Sequence, residues 1–568
     1  METTNSRMAQ TGRSMTRLGL AALLVTLGCG ETKQAGGSDG GGSGTTGADL
    51  PPASCTPGGM WSGDVCSCIC DDDGAWSCRP DDVGDTMAWP TFAPVAKLFV
   101  VVDDSPGMLG AQARLADAMG IFAERMDERG LDYLVAVTGT GAYGPDGACA
   151  GSGGGAGLGV ESCRARLGAF VDGPGAPADP AAVCTDRCDL ASLATNDGAP
   201  YLASRSGVLN VDANASAADV LRCMMPLGND GCPFVQPLEA ALAAFSGDAF
   251  SGEASPTRDG SRGLVVVTDG TECSVQDGTI FDPAGNRVFW SDPAAPEPTQ
   301  AVCWNAGVSC EGGQNGTYDV CEPADWTADG AVAGNSATAV LTPVGALASR
   351  LDDLFQSPLG GGHTRVLGIA GVPDGYPDVP ISYEDAADPQ VQDTYGIGPG
   401  CEASDLVAPP PVRLAAALGR VAAQGETVLS SLCAGTYDAA IAELADDLAA
   451  RAIKQTCRDL GPSMVGADAA DIRSACWARH VRVDEQGQFT ESPLPFCDDG
   501  PDGPAVPEGA GACVYVVTGA EAGAVCGDDP NLAMVMVRTL RRPTYDYGWS
   551  DRVAIECAAQ EPEEACTP

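Results

Sequence analysis

Residues 98–108 read LFVVVDDSPGM, an apolar run that ends on two carboxylates and a hydroxyl. A short unbroken apolar run is typical of a strand that is buried on both faces, as in a parallel sheet. The segment 103–107 predicts a turn at the carboxyl end of this strand. A helix with one apolar face is predicted next, from the spacing of Leu115, Met119, Phe122 and Met126. Strand, polar turn and helix form the first half of a βαβ unit, and open α/β sheets bind their ligands at such turns.

A second stretch repeats this order. Residues 263–270 read GLVVVTDG, another buried strand that ends on a carboxylate and a glycine turn. Two parallel strands that end near Asp103 and Asp269 bring hard oxygen atoms to one crevice, and hard oxygens select Mg²⁺, Ca²⁺ or Mn²⁺. The alternative is that each Asp only caps the helix that follows it. The occurrence of two such strands favours a shared site.

These segments resemble the von Willebrand factor A-type (vWA) domain. That family carries Asp-x-Ser-x-Ser after its first strand, a Thr ahead of a middle helix, and Thr-Asp-Gly after a later strand. Asp103 and Ser105 match the first two positions, and Asp269 matches the last carboxylate. Gly107 stands where the family has its second Ser, and Gln236 replaces the Thr.

The resemblance implies a degenerate metal-ion-dependent adhesion site. Asp103, Ser105 and Asp269 are its expected metal ligands, and Asp104 and Gln236 are candidates for further oxygen ligands. The expected cofactor is Mg²⁺ or Ca²⁺, bound weakly because two of the family's hydroxyl ligands are absent.

The rest of the chain continues the alternation of strands and helices. Helices are predicted at 236–246, 343–355, 413–423 and 437–454, and further strands at 133–138, 364–370 and 427–432. This pattern predicts an α/β fold with a doubly wound, mostly parallel sheet over residues 95–455.

Cysteine usage predicts a disulfide framework. There are 25 Cys, and setting aside Cys29 leaves 24, enough for up to 12 bridges. Zinc is a poor alternative because the chain has two His and no Cys-x-x-Cys pair. The Cys cluster in two insertions of the vWA-like domain and in two small modules, at 139–232, 271–335, 55–80 and 457–568. The two modules hold five and seven Cys, and the odd number in 457–568 favours one bridge to the core.

The amino-terminal segment predicts export. Residues 1–29 combine Arg13 and Arg17 with a short apolar stretch, as in a signal peptide. Their end, Thr-Leu-Gly-Cys, resembles a bacterial lipobox, which implies lipidation of Cys29; the alternative is an ordinary secretory signal. Residues 30–54 are rich in Gly, Ser and Thr and predict a flexible linker.

Composition limits the partners. With 31 Lys and Arg against 77 Asp and Glu, the formal charge is −46. Such a surface repels phosphate backbones, so nucleic-acid binding is excluded, and membrane contact is expected through the lipid anchor only. No Gly-x-x-x-x-Gly-Lys-Ser/Thr loop or His-Glu-x-x-His motif occurs, and two His leave few general bases. We therefore expect no enzymatic activity.

The vWA-like core and its cysteines also resemble the vWA surface lipoproteins of myxobacteria. The implied function is adhesion to, or recognition of, an extracellular or envelope protein or glycan. The implied location is the cell envelope, as a lipid-anchored protein of the outer membrane or cell surface. The alternative is a structural envelope protein whose metal site is inactive.

Overall fold

The computed structural model describes the backbone of residues 60–62, 66–70 and 76–80 and most of the chain from 94 to 557. The described part of 94–557 excludes 142–156, 174, 212–213, 248–249, 251–253, 257–259, 356–363, 423–427, 461–463, 484–488, 502, 528–531, 546 and 548–550. The signal peptide, the linker and Cys29 therefore lie outside the described residues. The side chains of the 55–80 module lie outside them as well.

A seven-stranded, mostly parallel sheet forms the centre of the fold. Its strands are β1 (Val95–Val102), β2 (Asp132–Gly139), β3 (Leu202–Arg205), β4 (Val208–Leu209), β5 (Ser261–Val267), β6 (Arg365–Ala370) and β7 (Leu429–Ser431). Their order across the sheet is β7-β6-β5-β1-β2-β3-β4. The strands from β7 to β2 are parallel, and β3 and β4 add an antiparallel edge. The predicted mixed α/β class with a mostly parallel sheet is confirmed.

Six helices cover the two faces of this sheet. They are α1 (Leu109–Glu128), α2 (Ala217–Met224), α3 (Pro237–Phe245), α4 (Val344–Phe355), α5 (Val412–Val421) and α6 (Asp438–Lys454). Leu98, Val100 and Val102 of β1 pack with α1, α2 and α6 on one face. Phe99 and Val101 pack with α3, α4 and α5 on the other. Every residue of β1 is buried, which explains why its sequence is apolar without alternation.

Aromatic packing fixes the second face. The ring of Phe99 lies 5.0 Å from the ring of Phe245, 5.7 Å from Phe250 and 5.4 Å from Phe355, measured between ring centroids. Tilted and edge-on aromatic pairs of this kind stabilise a core by about 0.5–1.5 kcal/mol each beyond burial. They hold α3 and α4 against β1, and so fix the position of the turn that follows β1.

Part of the first insertion belongs to the central fold. Residues 139–232 were expected to form a long disulfide-braced loop, and the bridges Cys163–Cys184 and Cys188–Cys223 confirm the bracing. Cys232 is also disulfide-bonded. However, the same segment supplies β3, β4 and α2 to the central fold. The strands were missed because β3 has four residues and β4 has two, too few for an alternation to appear.

The second insertion is braced as expected. Cys273–Cys303 and Cys310–Cys321 are its bridges, and the latter joins the antiparallel strands Val308–Glu311 and Val320–Pro323. The insertion has a small hydrophobic cluster of its own, which includes Phe281, Trp290 and Val302. Disulfides of this kind each stabilise a small region by about 2–5 kcal/mol, so an insertion with a small core keeps a fixed shape.

The carboxyl-terminal module is built from two three-stranded antiparallel sheets and a hairpin. The first sheet contains Cys457–Asp459, Met534–Arg541 and Ala512–Val517, the second contains Phe489–Leu494, Cys476–Val483 and Arg552–Cys557, and the hairpin joins Asp498–Gly500 to Gly503–Ala505. Two short helices, Ala469–Ala475 and Gly519–Cys526, complete it. Six of its seven Cys pair within the module, as Cys457–Cys526, Cys476–Cys557 and Cys497–Cys513. The expected bridge to the core is not among these, and Cys566 lies outside the described residues.

Polar contacts, rather than a described disulfide, join this module to the core. Arg541 donates two hydrogen bonds to the buried carboxylate of Asp132, at 2.8 and 3.0 Å, and Tyr547 donates a third. Asp132 opens β2, so the module is fixed at the amino end of that strand. The candidate ligand crevice lies at the opposite, carboxyl edge of the sheet.

Two further observations concern the described residues. The three short strands at 60–62, 66–70 and 76–80 form an antiparallel sheet. Among the residues that the structure describes, no helix is both long enough and apolar enough to cross a membrane.

Candidate functional site

The crevice lies where the chain order of the sheet reverses. From β1 the chain continues to β2 on one side, and it later returns to β5 on the other side. The carboxyl ends of such a strand pair leave an opening between the two loops, which is the usual ligand position in open α/β sheets. Asp103 directly follows β1, and Asp269 follows β5 by two residues. The structure therefore brings these two carboxylates to the same edge of the sheet.

Ser105 joins the two loops. Its hydroxyl donates to Oδ1 of Asp269 at 3.5 Å, and its backbone N–H donates to Oδ1 of Asp103 at 2.8 Å. The loops are held in register by the backbone, since the Asp103 N–H donates to the carbonyl of Val267 at 2.9 Å. Asp103, Ser105 and Asp269, the expected ligands, therefore meet in one place.

Two threonines that the sequence did not single out complete the surroundings of Asp103. The Thr268 hydroxyl donates to its Oδ2 at 2.6 Å, and the Thr140 hydroxyl donates to its Oδ1 at 3.3 Å. Thr268 belongs to the Thr-Asp-Gly motif, and Thr140 directly follows β2. A search for hydroxyls at the carboxyl end of every predicted strand would have found both.

Burial changes the acidity of both carboxyl groups. Asp103 is 0% exposed and Asp269 is 2% exposed. Burial raises the pKa of Asp103 to about 6, although the hydrogen bonds from Thr268 and Ser105 oppose the rise. Burial, and then the charge of Asp103, raise the pKa of Asp269 well above its usual range. The two groups therefore behave as a pair that resists double ionisation unless a cation compensates it.

The two further candidate ligands point to other partners. Oδ1 of Asp104 accepts hydrogen bonds from the Thr140 hydroxyl at 3.1 Å and from the Gly141 N–H at 2.6 Å. Oε1 of Gln236 accepts from the Val275 N–H at 3.0 Å, at the start of the second insertion. Both side chains thus fasten neighbouring loops to the crevice.

Gly107 has a conformation that excludes the family's second serine. Its φ is +106°, in the region that favours glycine, and a Cβ there would lie 2.9 Å from Oδ2 of Asp269. A serine here would therefore crowd that carboxylate oxygen, so the turn packs closely against Asp269 without the family's second hydroxyl.

The segment 389–408 and the first insertion cover the crevice. Tyr395 ends the short helix Pro389–Tyr395, and burial, followed by the charges of Asp269 and Asp103, raises the pKa of its hydroxyl. A Cβ on Gly175 would lie 2.6 Å from the carbonyl oxygen of Asp405 and 3.8 Å from the Cα of Gly107. Backbone from two separate loops thus closes over the turn at Gly107.

The oxygen atoms of the crevice suit a small hard cation. Two carboxylates and a serine hydroxyl are present, and Mg²⁺ retains several waters when it binds to proteins. Across the described residues, no cluster of three or more His, Cys, Asp or Glu is arranged to hold a metal. Mg²⁺ and Ca²⁺ accept ligands of these oxygen types, and Asp103, Ser105 and Asp269 are the side chains that would hold such an ion.

A buried ion pair supports the loop that carries Asp269. Arg413, in the first turn of α5, and Glu272 are both 0% exposed in their side chains, with 3.5 Å between Nη2 and Oε2. Nε of Arg413 also donates to the backbone oxygen of Glu272 at 3.0 Å, and Nη2 donates to the carbonyl of Thr342 at 2.7 Å. The pair therefore ties the start of the second insertion to α5.

The described histidine lies in the carboxyl-terminal module and outside the crevice. His480 is buried, with Nε2 at 2.7 Å from Oδ2 of Asp551 and Nδ1 at 3.0 Å from the hydroxyl of Tyr545. These contacts make His480 a buried packing residue of that module. His363 lies outside the described residues.

Comparison with known proteins gives a distant structural likeness only. No protein family matches the sequence, and no curated protein matches it. A pilus adhesin, SpaC from Lactobacillus rhamnosus GG in its open conformation, is similar over 90% of this chain with 9% identity and a TM-score of 0.27. Another crystal form of SpaC gives 10% identity over 88% of this chain with a TM-score of 0.25. The chain spans about 43% of the length of that adhesin.

Proposed function

We propose that this chain is a cell-surface recognition protein whose central domain is of the vWA type. The observation that carries the proposal is the meeting of Asp103, Ser105 and Asp269 at the point where the sheet order reverses. Helices on both faces of a mostly parallel sheet support the doubly wound architecture that the type requires.

In this proposal the protein is exported and held by a lipid on Cys29 at the cell envelope. The eight described disulfides support an oxidising, extracytoplasmic setting. The partner is an extracellular or envelope protein or glycan. The formal charge of −46 disfavours nucleic acid as a partner.

A divalent ion assists recognition in this proposal. Asp103, Ser105 and Asp269 hold Mg²⁺ or Ca²⁺ when both carboxylates are ionised. The ion supplies positive charge that compensates the two carboxylates and attracts an acceptor oxygen of the partner.

We also propose that the protein is not an enzyme. The crevice combines carboxylates and hydroxyls, and the described histidine is engaged by Tyr545 and Asp551 in another module.

A second function is favoured by one feature of the crevice. The oxygens of Asp103 accept from Thr268, Thr140 and Ser105, so protein donors satisfy them without an ion. A structural envelope protein with an inactive metal site would have this arrangement. The two functions differ in whether partner binding depends on a divalent ion.

A pull-down from envelope extract distinguishes them. The immobilised chain should retain a partner in millimolar Mg²⁺, and both a chelator and the change Asp103→Asn should reduce the retained amount about tenfold or more. The matched control is Asp282→Asn, which removes an exposed carboxylate from the second insertion and should retain the partner fully. A partner held equally by all variants, with or without chelator, would instead support the structural protein.

A further inference from the structure

A cleft with a volume of about 470 Å³ opens beside the first turn of α1. Its walls come from three places: the start of α1, the 175–187 segment of the first insertion, and the hairpin of strands Cys401–Ala403 and Leu406–Ala408. Small residues dominate the walls, namely Gly110, Ala113, Gly175, Ala176 and Ala182. The cleft therefore has room for a long, narrow side chain from another molecule.

The cleft carries two carboxylates and one guanidinium. Asp186 and Asp405 line it together with Arg187. Arg187 is already neutralised, because its Nε and Nη2 each donate to the carboxylate of Asp117 at 3.1 Å. Asp186 is exposed and makes no ion pair with any other residue that the structure describes. A negative charge thus remains available at the rim.

Asp405 holds the hairpin in place. Its Oδ2 lies 3.1 Å from Nη1 of Arg114, and a Cβ on Gly110 would lie 2.0 Å from the same oxygen. Arg114 also donates to the Leu432 carbonyl at 3.3 Å, and the bridge Cys401–Cys433 joins the hairpin to the same loop. The carboxylate side of the cleft is therefore built from fixed elements, while Asp405 itself stays about one-third exposed.

We propose that this cleft receives a Lys or Arg side chain of the partner, so that the partner recognised by this protein presents a basic segment. This proposal deepens the proposed recognition function and rests on it. The aliphatic stem of the basic side chain packs along Ala113 and Val183, while its cation reaches Asp186. Asp405, whose charge is shared with Arg114, adds its partly exposed carboxylate as a second acceptor. The formal charge of −46 adds long-range attraction for a basic partner.

The experiment uses a peptide with one cation and its uncharged counterpart. The probe is acetyl-Gly-Ala-Arg-Ala-Gly-amide, and the matched control carries citrulline in place of arginine. With Ala and Val methyl groups labelled with ¹³C, the arginine peptide should shift the NMR signals of Ala113, Ala182 and Val183. The citrulline peptide should leave them unchanged, because it has the same length without the charge.

Matched variants test the two carboxylates. Asp186→Asn and Asp405→Asn should each weaken binding of the arginine peptide about two- to fivefold, as for a partly exposed ion pair. Asp189→Asn removes an equal charge from the exposed surface three residues from Asp186, and it should not change the affinity. Ala182→Leu fills the cleft without changing its charge and should abolish the shifts.

Some results would overturn the proposal. Equal shifts from the citrulline peptide, unchanged affinity in Asp186→Asn, or shifts spread evenly over the acidic surface would show that the cleft is not a cation site. A peptide with Glu in place of Arg that shifts the same methyl groups would indicate an acidic partner instead. These results are independent of the pull-down. The cleft can bind arginine when partner binding does not depend on a divalent ion, and partner binding can depend on the ion when the cleft does not bind arginine.

Discussion

Replacing Asp103 by Asn should stabilise the protein, relative to wild type, progressively as pH rises from 4 to 7. The pKa of Asp103 is raised from 3.8 to about 6, so the folded state binds its proton more tightly than the unfolded state. The protonated Asp103 therefore stabilises the folded state fully below pH 4, and this stabilisation is lost as the pH rises through 6. Asn cannot ionise, so the variant does not lose this stabilisation. Between pH 4 and pH 7 the unfolding free energy of Asp103→Asn should therefore rise by about 3 kcal/mol relative to that of the wild type.

Urea unfolding of both proteins in a chelating buffer, at several pH values, measures this difference. The test is how the difference in unfolding free energy between variant and wild type changes with pH. Loss of the hydrogen bond from Thr268 adds an offset to this difference that does not depend on pH. Asp282→Asn is the control, since that residue is exposed, and its difference from wild type should stay flat. A flat difference for Asp103→Asn would mean that its carboxyl group is not held in the protonated state.

Replacing Glu272 by Ala should destabilise the protein by about 3–5 kcal/mol. The reason is that Arg413 would then be a buried cation without its carboxylate, and both side chains are 0% exposed. The double change Glu272→Leu with Arg413→Met removes both charges and should cost less than Glu272→Ala alone. Denaturant unfolding of the two variants and the wild type gives both values.

Two results would contradict the expected role of the Glu272–Arg413 pair. A cost below about 1 kcal/mol for Glu272→Ala would show that the pair is solvated and does not hold the second insertion. A double variant that is less stable than the single variant would show that packing, rather than charge, dominates at this position.

Much of the central fold could be predicted because its strands are buried on both faces. The apolar runs of β1, β2, β5 and β6 show no alternation, and proline marks the start of α3 and precedes α4 and α5. Asp103, Ser105 and Asp269 were predictable for a related reason, since they stand where such strands end. The short edge strands β3 and β4 were missed because their four and two residues, respectively, carry too little pattern.

The features of the site that were missed depend on contacts between distant parts of the chain. Glu272 and Arg413 are 141 positions apart, and nothing local to either residue indicates the other. The closing of Gly175 and Asp405 over Gly107 joins the first insertion to the segment 389–408, and their backbones meet only in the folded chain. The engagement of Gln236 with Val275 likewise required the path of the second insertion.

Calorimetric titration of the disulfide-bonded protein with Mg²⁺, Ca²⁺ and Mn²⁺ tests the central claim most directly, namely that the Asp103–Asp269 crevice binds a divalent ion. At pH 7.5 we expect heat with a dissociation constant of about 10⁻³ M, as for weak oxygen-ligated sites. The heat should weaken at pH 5, where protons compete, vanish in Asp103→Asn and persist in Asp282→Asn. No heat at millimolar ion, or equal heat from Asp103→Asn, would contradict the claim.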